Sequence, residues 1–130
     1  MTTTILLVED DPLRAWVRKS ALEKKFLDVQ RVADPAEAFC MVEQPQFAGK
    51  LGLVIADLHM SGSLAAPAFA AEMHSRLPGV PVLVLGDARE APADYAAEGV
   101  RFLSQPIASD EILSAASQMI ARKPVEHQAP

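Results

Sequence analysis

Two short apolar runs in this chain end in carboxylates. Thr4 to Val8 leads into Glu9, Asp10 and Asp11, and Leu53-Val54-Ile55-Ala56 stops abruptly at Asp57. Runs this short and rich in β-branched residues read as buried parallel strands, not helices. In open α/β sheets ligands bind beyond the carboxyl ends of the strands, so acids placed there are site candidates. If the two strands are neighbours, Glu9, Asp10 and Asp57 converge. Two carboxylates about 5 Å apart repel by roughly 3 kcal/mol at an effective dielectric near 20. Three of them therefore call for a shared proton or a cation. Oxygen ligands favour a hard ion, and Mg²⁺, which keeps several waters beside a few carboxylates, is the expected occupant. Asp11 reads differently: Pro12 follows it and suits the first turn of a helix, so Asp11 is expected to be a cap.

The elements that must position these acids alternate along the chain. After Pro12, Leu13, Trp16, Val17 and Ala21 recur at helical spacing, while Arg14, Arg18, Lys19 and Lys25 fall mostly on other faces. This predicts an amphipathic helix with a basic, solvated outer surface. Val29 to Val32 is a weaker strand. Asp34-Pro35-Ala36-Glu37 combines an N-cap, a proline at N1 and a glutamate at N3, and opens a helix carrying Ala38, Phe39, Met41 and Val42. Pro45 to Lys50 reads as a loop before the Asp57 strand.

Leu64 to Leu77 is a helix in which Pro67 must lie near the start, because an interior proline costs about 3 kcal/mol. Val80 to Leu85 is a strand ending at Gly86-Asp87, and Asp87 with Glu90 can cap a short helix ending near Gly99. Val100 to Ser104 is a fifth strand, stopped by Gln105-Pro106. Ser109-Asp110-Glu111 opens a last helix with an apolar face of Ile112, Leu113, Ala116, Met119 and Ile120. Five strand and helix units of this kind predict an α/β fold. The expected architecture is a flavodoxin-like, doubly wound five-stranded parallel sheet of order 2-1-3-4-5 with five helices, over residues 1–123, followed by a polar tail at 124–130.

Composition narrows the function classes. The chain has 130 residues, half of them hydrophobic and 22% charged, which is enough for one core and excludes a disordered polymer. A net charge of -5 argues against direct DNA binding. Cys40 is the only cysteine, so no disulfide within the chain and no cysteine metal cluster can form; a reducing, cytoplasmic home is expected. No membrane span or signal peptide is visible.

In order and spacing, the motifs resemble the receiver domains of two-component response regulators over nearly the whole chain. Ile5-Leu6-Leu7-Val8-Glu9-Asp10-Asp11-Pro12 looks like that family's first strand and acidic pair. Val54-Ile55-Ala56-Asp57-Leu58-His59-Met60 looks like its phosphoacceptor strand, including the methionine three residues after the aspartate. Pro81-Val82-Leu83-Val84-Leu85 looks like its fourth strand, and Gln105-Pro106 falls where the family has Lys-Pro. The resemblance implies that Asp57 accepts a phosphoryl group from a histidine kinase or histidine phosphotransfer protein, with Mg²⁺ held by Glu9, Asp10 and Asp57. It also implies an output surface, and a possible homodimer contact, over the region 87–121.

The departures from that pattern carry weight. Gly86 stands where the family has a serine or threonine, and Gln105 where it has a lysine. A unit charge at 4 Å is worth roughly 4 kcal/mol at an effective dielectric near 20, and a neutral amide does not supply it. Gly86 has no hydroxyl to follow a phosphoryl group inward. Phe102 matches the aromatic switch position, whose trigger is then missing. The expectation is an atypical receiver, not an enzyme, that works through protein contacts with an unknown downstream protein, its phosphorylation weak, uncoupled or absent. The alternative is an ordinary phosphorylatable single-domain regulator in which Gln105 or a nearby cation replaces the lysine. A third reading, a Mg²⁺-dependent phosphatase with Asp57 as nucleophile, ranks well below, because His59 stands where such enzymes want a second acid. His59 is expected at the pocket rim, His74 and His127 on the surface, and Met41, Met60, Met73 and Met119 as core filler.

Overall fold

The apolar runs lie side by side as five parallel strands. The structure, a computed structural model, describes residues 3–57, 66–86 and 99–121. Its strands are β1 (Thr4–Glu9), β2 (Asp28–Val32), β3 (Leu51–Asp57), β4 (Val82–Gly86) and β5 (Val100–Ser104), arranged β2-β1-β3-β4-β5 as the alternation predicts. The helices are α1 (Pro12–Leu22), α2 (Pro35–Val42), α3 (Pro45–Ala48), α4 (Ala66–Arg76) and α5 (Ser109–Ala121). The expected loop after Pro45 is thus corrected to a short helix, with Pro45 in its first turn, where a missing N–H costs nothing. The expected helix between Asp87 and Glu98, together with His59, Met60, His127 and the 124–130 tail, lies outside the described residues.

Alternation along the strands divides the core in two. Leu6, Val8, Val54, Ala56, Val82 and Val84 face Ala38 and Val42 of α2 and Phe69 and Met73 of α4. Ile5, Leu7, Leu53, Ile55, Leu83 and Leu85 face Leu22 of α1 and Ile112, Ala115 and Ala116 of α5. The β1/β3 pairing slips once, since Thr4 pairs with Leu51 but Ile5 with Leu53, leaving Gly52 as an extra residue. A Cβ on Gly52 would collide with the Thr3 side chain, so a larger residue there requires Thr3 to shift. Beyond the slip the strands run in step, and Glu9 stands opposite Asp57.

The caps form as their residues dictate. Asp11 accepts from the N–H groups of Leu13 and Arg14, and Asp34 accepts from that of Glu37. The Glu37 carboxylate in turn accepts from Ala33 N–H at 2.9 Å. Pro67 is the second residue of α4, and α5 buries Ile112 and Ala116 with Leu113, Met119 and Ile120 packed beside them.

Helix α1 requires a correction. Of the stripe expected to face the core only Ala21 does so; Leu13 at 69% and Trp16 at 68% exposure are turned outward, and Val17 is also exposed. The buried residues are Ala15, Arg18, Ala21 and Leu22. The reason lies beneath the helix: two carboxylates wait on the α1 side of the sheet, and a cation above them outweighs the preference for burying apolar surface. His74 is likewise half-buried instead of on the surface. Its ring lies against Gly99, whose φ of +86° requires glycine, and its Nδ1 has no hydrogen-bond partner among the described residues.

Candidate functional site

Strand parity builds the site. Glu9 and Asp57 follow Leu7 and Ile55 by two residues, so both carboxylates project on the α1/α5 side, at the carboxyl edge of adjacent strands. Both are fully buried. Arg31, next to the end of β2, holds the main chain there: its Nε and Nη2 donate to the Glu9 carbonyl at 2.9 and 2.8 Å. From α1, one turn after Ala15, Arg18 reaches down between the two acids.

The guanidinium of Arg18 is the centre of the site. Its Nη1 donates to Glu9 Oε1 and to Asp57 Oδ2, and its Nη2 donates to Gln105 Oε1 at 3.1 Å. Gln105 Nε2 donates to Asp57 Oδ1 at 3.2 Å and approaches the Leu85 carbonyl at 3.4 Å. Arg18, Asp57 and Gln105 thereby close a ring of hydrogen bonds in which both oxygens of Asp57 are engaged. A second guanidinium, Arg14, stands with Nη1 3.8 Å from Asp57 Oδ2, its own side chain 45% exposed. The remaining oxygen of Glu9, Oε2, accepts from Asp11 N–H at 3.1 Å. Burial, reinforced by the neighbouring Asp57 carboxylate, pushes the Glu9 pKa up to about 8, against the opposing pull of the Asp11 N–H and Arg18.

The other expected site residues fall as follows. Asp10 is exposed, one step past β1 and on the opposite parity to Glu9, and it does not join the pair. Gly86 ends β4 and its carbonyl accepts from Gln105 N–H at 2.7 Å, which fixes the start of the Gln105 turn. Phe102 is half-buried on β5 and packs on the α2/α4 side of the sheet, away from the acids. Asp87 lies outside the described residues.

Sequence reasoning missed Arg18, Arg14 and Arg31. Arg18 shares its helical face with Ala15 and Leu22, at spacings of three and four residues, and a buried acid pair requires a cation in reach. Those two facts together are a signal pointing to it, although a proton on one of the acids meets the same need.

A divalent ion does not fit the residues as they stand. Among the described residues no group of three or more His, Cys, Asp or Glu side chains is arranged to hold a metal. A dication 4 Å from one guanidinium is repelled by about 8 kcal/mol at an effective dielectric near 20. With Glu9 holding its proton near neutral pH, Asp57 is the one carboxylate charge beside two guanidinium groups, Arg14 and Arg18, which leaves no net attraction for such an ion.

Neither protein-family models nor curated proteins match the chain in sequence. Solved structures do match in shape. A response regulator receiver domain protein from Clostridium thermocellum superposes with a TM-score of 0.82 at 20% identity, covering 93% of this chain and 96% of that one. A response regulator receiver protein from Sinorhizobium medicae gives 0.79 at 20%, covering 95% and 98%. The chain has the receiver-domain fold. An adenylate cyclase structure from Rhodopirellula baltica shares the same receiver fold, with a TM-score of 0.83 at 21% identity over 99% of this chain and 95% of that one. Among the described residues no helix of this receiver fold is long and apolar enough to cross a membrane.

Proposed function

We propose that the chain works as an atypical receiver domain in two-component signalling. It acts chiefly by binding other proteins, and phosphorylation of Asp57 is weak or absent. The observation that carries this reading is the engagement of both Asp57 oxygens, by Arg18 and by Gln105, on a side chain with no exposed surface. A phosphoryl donor needs one of those oxygens free and reachable, and here reaching it means breaking a buried ion pair. Gly86 and Gln105 remove the hydroxyl and the ammonium by which such a group would be sensed. The expected partners are a histidine kinase or histidine phosphotransfer protein and a downstream protein. The exposed apolar stripe of Leu13, Trp16 and Val17, flanked by Arg14, offers them a contact surface beside the pocket.

A second reading has one observation in its favour. Arg14 and Arg18 bring positive charge to Asp57 where Gln105 brings none, and that charge can stand in for a lysine in an ordinary phosphorylatable regulator. Amide NMR spectra recorded with Mg²⁺ before and after adding beryllofluoride separate the two. Spectra that stay unchanged support the atypical receiver. Wide shifts around Asp57 and through Gly86 to Phe102 would sink it in favour of the second reading.

A further inference from the structure

The acid pair at the strand ends carries its counter-charge within the chain. We propose that Arg18 is a tethered replacement for a divalent cation: it bonds to Glu9 and Asp57, supplies counter-charge to the pair without metal, and keeps Mg²⁺ out while it is in place. The proposal rests on the receiver reading only for the expectation that a metal belongs there.

Three features of the geometry support it. Arg18 is buried, with 9% of its side chain exposed, and its helix is fixed over the pocket by Ala15, Ala21 and Leu22. Its planar fork meets acceptors on three residues, Glu9, Asp57 and Gln105, and so spans the space between the acids that an ion would need. Gln105 is matched to this arrangement, because its amide accepts from Arg18 with one atom and donates to Asp57 with the other. A lysine at 105 could only donate and would repel the guanidinium, so Gln105 acts as a positioning residue for Arg18. Being covalently attached, the cation does not have to be captured from solution, and a free ion must compete with a neighbour at very high effective concentration.

The test is a Mg²⁺ titration at constant ionic strength, followed by amide NMR, on the wild-type chain and on Arg18→Gln. Mn²⁺ broadening locates any site. The wild type is expected to show no saturable shift at Glu9 or Asp57 through 10-fold the concentration at which the variant saturates. The variant is expected to bind at these two residues at least about tenfold more tightly, after allowing for screening. Its melting temperature should then rise with Mg²⁺ while that of the wild type stays constant. Saturable Mg²⁺ binding at Glu9 and Asp57 in the wild type overturns the proposal, and so does a folded Arg18→Gln that still excludes the ion. If Arg18→Gln does not fold, Mg²⁺-dependent recovery of its structure supports the proposal, and the wild-type titration decides by itself. Phosphorylation of Asp57 without added divalent ion would defeat the proposed function and leave this inference intact; metal binding by the wild type does the reverse.

Discussion

Helices α1 and α5 cover the same side of the same sheet and obey different rules. On α5 the apolar residues turn inward, with Ile112, Ala115 and Ala116 against Leu83 and Leu85. On α1 Leu13 and Trp16 turn outward while Leu22 stays in the core, and an arginine goes in. The difference lies in what each helix covers: α5 sits over an aliphatic surface, whereas the inner face of α1 meets two carboxylates in register at the strand ends. Burying an unpaired charge costs far more than exposing a leucine, so the acids choose the face of α1. Hydrophobic periodicity is a reliable guide to facing only where the surface beneath is itself apolar.

The largest effect that can break this comparison is expected from Arg18→Leu. That substitution gives α1 an aliphatic residue like those of α5 but strands the acid pair, and it should cost about 3–5 kcal/mol in urea unfolding. A loss below about 1 kcal/mol, the range of exposed ion pairs, would show that the guanidinium is not the organising charge. On α5, Ile112→Ala should cost about 3 kcal/mol through lost burial and a cavity, with no dependence on pH.

The pH dependence sharpens the contrast further. Glu9 has a folded pKa near 8 against an ordinary value of 4.5. Between those values the folded state keeps a proton that the unfolded state releases, so stability should fall as pH rises across the window and level off above it. Glu9→Gln should flatten that slope, as read from urea midpoints at about pH 5.5, 7 and 8.5; an unchanged slope would assign the titration to another group. The smallest effect is expected at the outer face of α1. Leu13→Gln and Trp16→Gln should each change stability by no more than about 0.5 kcal/mol, and a larger loss would mean that the stripe is packed after all.

Much of this was legible in the residues. The strands announce themselves as apolar runs, Asp11 and Asp34 as caps beside prolines, and Glu9 and Asp57 as acids at neighbouring strand ends. The separation of Asp10 was legible in principle, because a strand alternates and Asp10 has the wrong parity. The inward turn of Arg18 was not, because an arginine among apolar residues on a helix looks solvated until the register beneath it is known. Arg31 was hidden for a related reason: its partner is a main-chain carbonyl, which leaves no mark in the sequence. The four residues of α3 are too few to show a helical period, so the sequence at Pro45 looks like a loop.

Trp16 has a consequence of its own, since it is the single tryptophan of the chain and most of its indole is in water. It is an intrinsic chromophore on the side of α1 that faces away from Arg18. Its emission should report contact with another protein as a shift to shorter wavelength, and should change little when only the buried charges are altered. The helix therefore offers an optical signal for events on its outer face that is largely separate from the electrostatics of its inner one.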